Sequence, residues 1–492
     1  MAKYGIHYIP AFVLLLSLLG LHACSRDYDV RDFGAVGDGV TLDTEAINSA
    51  IGAAASKGGG TIHIPAGTYA VNSIHLASHI TLELEAGATL LAVEGNGFDS
   101  PEPGPEPQYQ DFGHSHWHNA MMWGENLQDI CICGKGIIDG AALSAGFGDS
   151  ALKSGVADKA ISLKNCKDVT LADITMYRCG HFALLATGVD NLVIKGLTVD
   201  TNRDGLDIDC CRNVVISGCR VNSPKDDGIV LKASYALGRY VDTEDVSISD
   251  CELYGYAVGS MLDGTFRRDK VYKDHYWRSC GRVKLGTETS GGFRNIEVRD
   301  CTFDYCGGLY IESMDGGIVE DISATNLTMK DCTDSPIFIR LGKRMRSPEG
   351  KEVGRIRRIS ISNLTAVNTD PHYGCILAGI PDRSIEDVTL SNISLNFEGG
   401  LSPEEAMPMP QELEDEYPDP WMFSGADETR DTPMVSSGMF LRHIDGLVME
   451  KVDITYNIPD SRPSIIRDDV SIGTSCGTSC SEHRHARQCP LQ

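Results

Sequence analysis

One eight-residue phrase returns along this chain: apolar, any, apolar, any, Asn/Asp/Gly, apolar, any, apolar. It reads VTLADITM from Val169, LVIKGLTV from Leu192, VVISGCRV from Val214, VSISDCEL from Val246 and IEVRDCTF from Ile296. It continues as ISATNLTM from Ile322, ISISNLTA from Ile359, VTLSNISL from Val388 and, in weaker form, LVMEKVDI from Leu447. Period-two alternation is a strand signal, because successive side chains leave opposite faces. The central polar residue marks a tight turn between two short strands. The shortest intervals between successive phrases are 23 and 22 residues, and longer ones are what inserted loops produce. A unit this short cannot bury its own apolar face and must stack on its neighbours. No long amphipathic helical window separates the phrases, which excludes strand–helix repeats of the leucine-rich kind. The chain therefore reads as all-β, a single-stranded right-handed parallel β-helix with coils about 4.8 Å apart.

The first coil of such a solenoid has no neighbour on its outer side and needs a cap. Residues 41–56 have helical spacing, with Thr44 as a candidate cap and Ala46, Ile47, Ala50, Ile51 and Ala54 on one face. That predicts an N-terminal capping helix. The run Gly58-Gly59-Gly60 lacks the Lys-Ser/Thr of a phosphate loop and is followed by a strand, so it reads as a turn.

The net charge of −26 excludes non-specific nucleic-acid binding, which needs a basic footprint. A polyanionic partner would require positive charge focused locally. Residues 1–23 read as a signal peptide: Lys3, an apolar run from Ile9 to Leu21, then LHAC ending at Cys24. LHAC resembles a bacterial lipobox, which implies a lipid on Cys24 and export to the periplasm or cell surface. The mature 24–470 segment is expected to be one catalytic β-helix domain, monomeric, touching a membrane only through that lipid. Of the 17 cysteines, Cys219, Cys251 and Cys301 hold one place in the repeated phrase and read as stacked core thiols rather than a disulfide framework. The tail 471–492 carries Cys476, Cys480, His483, His485 and Cys489, and is expected to be disordered rather than a metal site.

Two acidic clusters stand out against the repeat. NRDG at 202–205 contains Asp204, and DDGIVLK at 226–232 contains Asp226 and Asp227. Asp204 and Asp226 are 22 residues apart, one coil, so three carboxylates should meet on one face. Mutual repulsion raises at least one pKa in such a group. Acid–base cleavage of a glycosidic bond needs that combination: one carboxyl holding a proton for the leaving oxygen, another ionised to activate water. A stack of polar turns, or a Ca²⁺ site, would use the same residues. Downstream, Arg282 and Lys284 are two apart in a strand and so point the same way. They could bind a substrate carboxylate, neutralise the aspartates, or do both.

NRDG, DDGIVLK and the RVK at 282–284 resemble, in order and interval, the Asn-x-Asp, Asp-Asp and Arg-Ile-Lys blocks of glycoside hydrolase family 28, the polygalacturonase family. The opening DFGAVGDGVTLDT, the later GGGTIHIPAGTY and the GKGIIDG at 134–140 are similar too. The resemblance runs from about residue 30 to 469. It implies a right-handed parallel β-helix that hydrolyses α-galacturonide linkages of pectic polysaccharide or oligogalacturonides with inversion and without metal or cofactor. It implies that Asp226 is the general acid, that Asp204 and Asp227 position and deprotonate water, and that Asn202, Arg282 and Lys284 bind substrate. Two departures stand out. The Gly-His-Gly block of many polygalacturonases has no counterpart in 253–266, which contains no His, and this opens the substrate to rhamnogalacturonan or another branched pectin. The first block reads Asn-Arg-Asp, not the usual Asn-Thr-Asp, which places Arg203 beside the site.

GHSHWHNAMMWGE puts His114, His116 and His118 at alternate positions. Zinc lacks a completing ligand at a familiar spacing, so sugar contact by His116, Trp117 or His118 is the preferred reading. The Pro-, acid- and Met-rich 401–440 segment is expected to fold over one side, with Trp421 and Phe423 packed on the coils or lining a cleft. The basic run at 340–358 could steer a polyanionic glycan or be an ordinary charged loop. A Ca²⁺-dependent pectate lyase and a non-catalytic glycan-binding β-helix are the competing functions.

Overall fold

The computed structural model describes residues 26–473, except 96, 104–106, 110–112, 147–152, 269–277, 407 and 425–431. The leader, Cys24 and the Cys and His residues of the tail lie outside the described residues, while residues 471 and 472, assigned above to the tail, end the strand Ile465–Ile472. The strands wind into one continuous parallel ladder. One coil consists of Phe182–Thr187, Asp190–Lys195 and Thr198–Asp200, and the next of Asp204–Asp209, Arg212–Ser217 and Arg220–Asn222. Each strand pairs with its counterpart one coil on.

The repeated phrase is what stacks. Val169 pairs with Leu192, then Val214, Val246, Ile296, Ile322, Ile359 and Val388 in unbroken succession, all buried. Burying like residues on like removes apolar surface from water at every step, roughly 25 cal/mol per Å². The central polar residues all take the left-handed conformation, with φ between 52° at Lys451 and 64° at Asp173. Asn, Asp and Gly enter that region cheaply, and a lysine does not, which is why the phrase at Leu447 looks weak. Side chains at these bends form a ladder: Asn326 donates to Asp300 (2.9 Å), Asn363 to Asn326 (3.1 Å) and Asn392 to Asn363 (2.7 Å). Cys219, Cys251 and Cys301 are buried in adjacent coils, and every described cysteine is a free thiol.

The capping helix spans Thr44–Ser56 and buries Ile47, Ala50, Ile51 and Ala54 against the first coils. It starts later than the sequence spacing suggests. Thr41 belongs to the Asp38–Leu42 strand, and the cap position falls to Asp43. Asp43 spends its carboxylate on the Val36 and Gly37 N–H groups, while Thr44 Oγ1 accepts the Asn72 N–H at 2.8 Å.

Two surface segments matter for the site. Within the 401–438 insert, Met422, Phe423 and Met434 pack on the outer face of the solenoid against Tyr310, Phe338 and Phe440. This clamps the insert beside the coils that carry the cation pair. The basic run is no steering patch: Arg340 is 1% exposed and bonds the carbonyls of Gly379 and Leu413. Arg344 pairs with Asp315, and Arg357 and Arg358 pair with Glu320.

Candidate active site

Three consecutive turns on one corner of the solenoid build the site. The Gly205 N–H donates to the Asp227 carbonyl, the Lys225 N–H to Asn202, the Gly228 N–H to Arg282, and the Gly281 N–H to Asp226. The residues that follow the acids must be glycine because the coils touch there. A Cβ at Gly205 would lie 2.4 Å from the Gly228 carbonyl oxygen. At Gly228 it would lie 2.8 Å from that of Gly281. The one-coil spacing thus brings Asp204, Asp226 and Asp227 together at the wall of a cleft of about 260 Å³.

The three carboxyls sit in different surroundings. Asp204 is 3% exposed, and burial, reinforced by Asp226, Asp207 and Asp227, raises its pKa well above the carboxylate range despite opposition from Lys232. It therefore holds a proton where an exposed aspartate would not. Burial pushes Asp227 the same way, but Arg282 and Lys284 outweigh it and hold that carboxyl below its ordinary value. Asp226 is the most open of the three, with 23% of its side chain exposed, and is ion-paired to Arg203. One corner therefore holds a protonated carboxyl and an ionised one side by side, the division of labour acid–base catalysis needs.

Arg282 Nε donates to Asp227 Oδ1, and its Nη1 donates to Asp419 Oδ1 at 3.1 Å. Its guanidinium lies 4.4 Å from the centre of the Tyr310 ring. Lys284 Nζ stands 3.7 Å from Asp227 and 3.8 Å from Glu312. Burial drives Glu312 up to about 7, partly offset by Lys284 and Arg282. Because the folded state binds this proton more tightly than the unfolded chain does, the associated stability is complete below the ordinary carboxylate pKa and lost as pH rises through about 7. The shift from 4.5 corresponds to ~3 kcal/mol. Glu312→Gln should remove that component, so urea melts of the variant should lose less stability than wild type between pH 4.5 and 8. Parallel pH profiles would contradict this origin.

Six carboxylates (Asp204, Asp226, Asp227, Glu288, Asp334, Asp419) and six cations (Arg203, Lys225, Lys232, Arg278, Arg282, Lys284) line the cleft. Five of the cations are ion-paired to carboxylates of the chain. Lys225 is exposed and has no such partner among the described residues. Two histidines also line the cleft. His114 Nε2 lies 3.0 Å from Asp207 and 2.6 Å from Lys232 Nζ. His181 Nε2 lies 3.9 Å from Asp204, and burial, then Arg203, His114 and Lys159, depress its pKa and keep the ring neutral. His114 with Asp204 and Asp207, and His181 with Asp204 and Asp226, each bring ligand atoms within 4.8 Å of one another. A divalent ion at either place would compete with cations already there, Lys232 at the first and Arg203 at the second.

Asn202 is on the acidic turn, yet what it contributes is its backbone carbonyl, and it does not line the cleft. His116 and His118 do not line it either. The first bonds the Glu102 carbonyl, and the second bonds Glu125 and stacks on Trp123 with ring centres 3.9 Å apart. The physical reason is Glu102, which accepts the Trp117 and His118 N–H groups and folds this stretch away from the acids, leaving His114 to face them. The His-free 253–266 segment is anchored elsewhere, its Gly259 and Leu262 N–H groups on Asp200. His181, Tyr417 and Asp419 escaped the sequence reading. His181 directly precedes Phe182, the residue that pairs with Asp204, so a step of one coil back from the first acidic block reaches its neighbourhood. Tyr417 and Asp419 sit in an insert that has no period to read.

Residues 28–85 match the family model described as rhamnogalacturonase A/epimerase, pectate lyase-like, and residues 133–238 match the right-handed beta helix region. A probable polygalacturonase of Vitis vinifera is 27% identical over 387 residues, 74% of this chain and 73% of that one. Among solved structures, a hyperthermoactive exopolygalacturonase from Thermotoga maritima superposes with a TM-score of 0.58 at 18% identity, covering 76% of this chain and 87% of its own. A family 28 exopolygalacturonase of Yersinia enterocolitica gives 0.56 at 17% identity, covering 91% of this chain and 78% of its own. At such identities the two structures share the fold. The chain thus shares its fold with solved polygalacturonases and is similar, along three quarters of its length, to a probable polygalacturonase, a glycoside hydrolase.

Proposed function

We propose that this chain hydrolyses α-1,4-galacturonide linkages of pectic polysaccharide with inversion of configuration. The observation that carries the reading is the split among three neighbouring carboxyls, one driven to hold a proton and one held ionised by two cations. In this reading Asp226 delivers a proton to the glycosidic oxygen, and Asp204 and Asp227 orient the attacking water and take its proton. An oxygen of Asp204 lies within 4.8 Å of one of Asp226, closer than the roughly 6.5–9.5 Å that separates the acid and base of an inverting pair. Asp227 lines the same cleft beside them and completes the set of three carboxyls. Proton NMR of the first sugar released settles the stereochemistry: the β-anomer must appear first, and initial release of the α-anomer would rule inversion out.

One observation favours a branched or mixed pectic substrate over plain homogalacturonan. Asp419 already occupies Arg282, so a galacturonate carboxylate arriving there must displace it. A neutral sugar would instead offer hydroxyls to Asp419. Asp419→Asn separates the two by sign. If a uronate binds at Arg282, KM for polygalacturonate falls by up to about fivefold, the worth of a partly exposed ion pair of ~1 kcal/mol. If a neutral sugar binds there, KM for rhamnogalacturonan rises and that for polygalacturonate does not fall.

A further inference from the structure

Arg203 occupies the middle of the first acidic block, and its side chain is turned into the cleft rather than to solvent. It is 4% exposed. Nε and Nη2 both donate to Oδ2 of Asp226, at 3.1 and 2.6 Å. The Ser223 hydroxyl fixes the geometry by bonding the backbone carbonyls of both Arg203 and Asp226. The other groups that face Asp226 are Asp204 and His181 within 4.8 Å, its chain neighbours Lys225 and Asp227, and Cys280 and Arg282, which line the same cleft. Among the described residues Arg203 is the ion-pair partner of Asp226.

This pairing conflicts with the role given to Asp226 above. Charge-assisted bonds from a guanidinium favour the ionised carboxylate, whereas a general acid must carry a proton. The proton of the resting site belongs to Asp204 instead. The conflict disappears if the guanidinium changes partners, and the cleft it lines is where a uronate carboxylate would arrive. We propose that Arg203 is a positioning residue that holds Asp226 as a carboxylate in the free protein and transfers its guanidinium to a carboxylate of the incoming glycan, so that Asp226 becomes the acid only when the cleft is filled. The proposal rests on the hydrolase reading. The protons balance: Asp204 gives its proton to Asp226, and Asp226 gives it to the glycosidic oxygen as the C–O bond breaks. Water supplies hydroxide to the anomeric carbon and returns its proton to Asp204.

Two measurements test it, both with Arg203→Met and with Arg203→Lys as the variant that retains charge. The first is carboxyl-carbon NMR of protein labelled at aspartate, with the Asp226 signal identified by its loss in Asp226→Asn. Asp226 should titrate at higher pH in Arg203→Met than in wild type, with Arg203→Lys between them. Coincident titrations overturn the proposal whether or not any glycan is cleaved. The second compares pH profiles, since kcat/KM reports groups of the free enzyme and kcat those of the complex. The high-pH limb of kcat should lie above that of kcat/KM in wild type, and the gap should close in Arg203→Met. Equal limbs in wild type, or a gap that survives the substitution, overturn the transfer. Absence of turnover by wild type on every pectic polymer would instead defeat the hydrolase reading, leaving the NMR result to decide the Arg203–Asp226 pair.

Discussion

Asp226→Asn is expected to lower turnover by about 10²- to 10⁴-fold, the usual contribution of a positioned general acid, in a protein that still folds but is somewhat less stable because the buried Arg203 loses its ion-pair partner. The amide keeps the shape of the side chain and an oxygen for Arg203, but holds no transferable proton. Because 23% of the Asp226 side chain is exposed, the fold does not depend on its burial. The neighbouring acids respond differently. Removing Asp226 takes away one of the charges that raise Asp204, so Asp204 should ionise at lower pH in the variant. Full activity of Asp226→Asn on a polymer that wild type cleaves would remove Asp226 from the chemistry and leave Asp204 as the acid.

Arg282→Ala should have the largest structural effect. The guanidinium is 7% exposed and binds Asp227 on one side and Asp419 on the other, above the ring of Tyr310. Its loss leaves Asp227 buried with Lys284 as its nearest cation, 3.7 Å away. Breaking a buried pair from one side costs about 3–5 kcal/mol. The same change releases Asp227 from one of the two charges that hold it ionised, so activity should fall with stability. Arg282→Lys keeps a charge and loses the planar fork that reaches both carboxylates, and should fall between wild type and alanine. Urea melts at pH 7 read the stability and initial rates read the activity. An alanine variant as stable as wild type would show that Asp227 is satisfied by Lys284 alone.

The coil period is legible in the sequence because it is a local property repeated many times. Apolar residues such as Val214 and Val246 must face inward at the same place in each turn, and the bend between them needs Asn, Asp or Gly. The acidic corner is legible for the same reason, since 22 residues returns the chain to the same corner. Partnerships across the chain are not. Nothing local tells that Arg203 reaches forward to Asp226, or that Asp419 crosses 137 residues to meet Arg282. The basic run at 340–358 looks like a free patch until Asp315 and Glu320 are found beside it. The histidine stretch misleads because alternation implies one shared face, whereas Glu102 captures the backbone at Trp117 and His118 and sends His114 alone to the acids.

The most direct test of the account is mass spectrometry of polygalacturonate and rhamnogalacturonan I, each digested in the presence of a chelator, with Asp226→Asn as control. The account predicts saturated galacturonide-containing products from at least one polymer, absent with the variant. The ratio of monomer to longer products would then report whether cleavage is terminal or internal. Products with an unsaturated end, or products formed equally by Asp226→Asn, would contradict hydrolysis at the acidic corner.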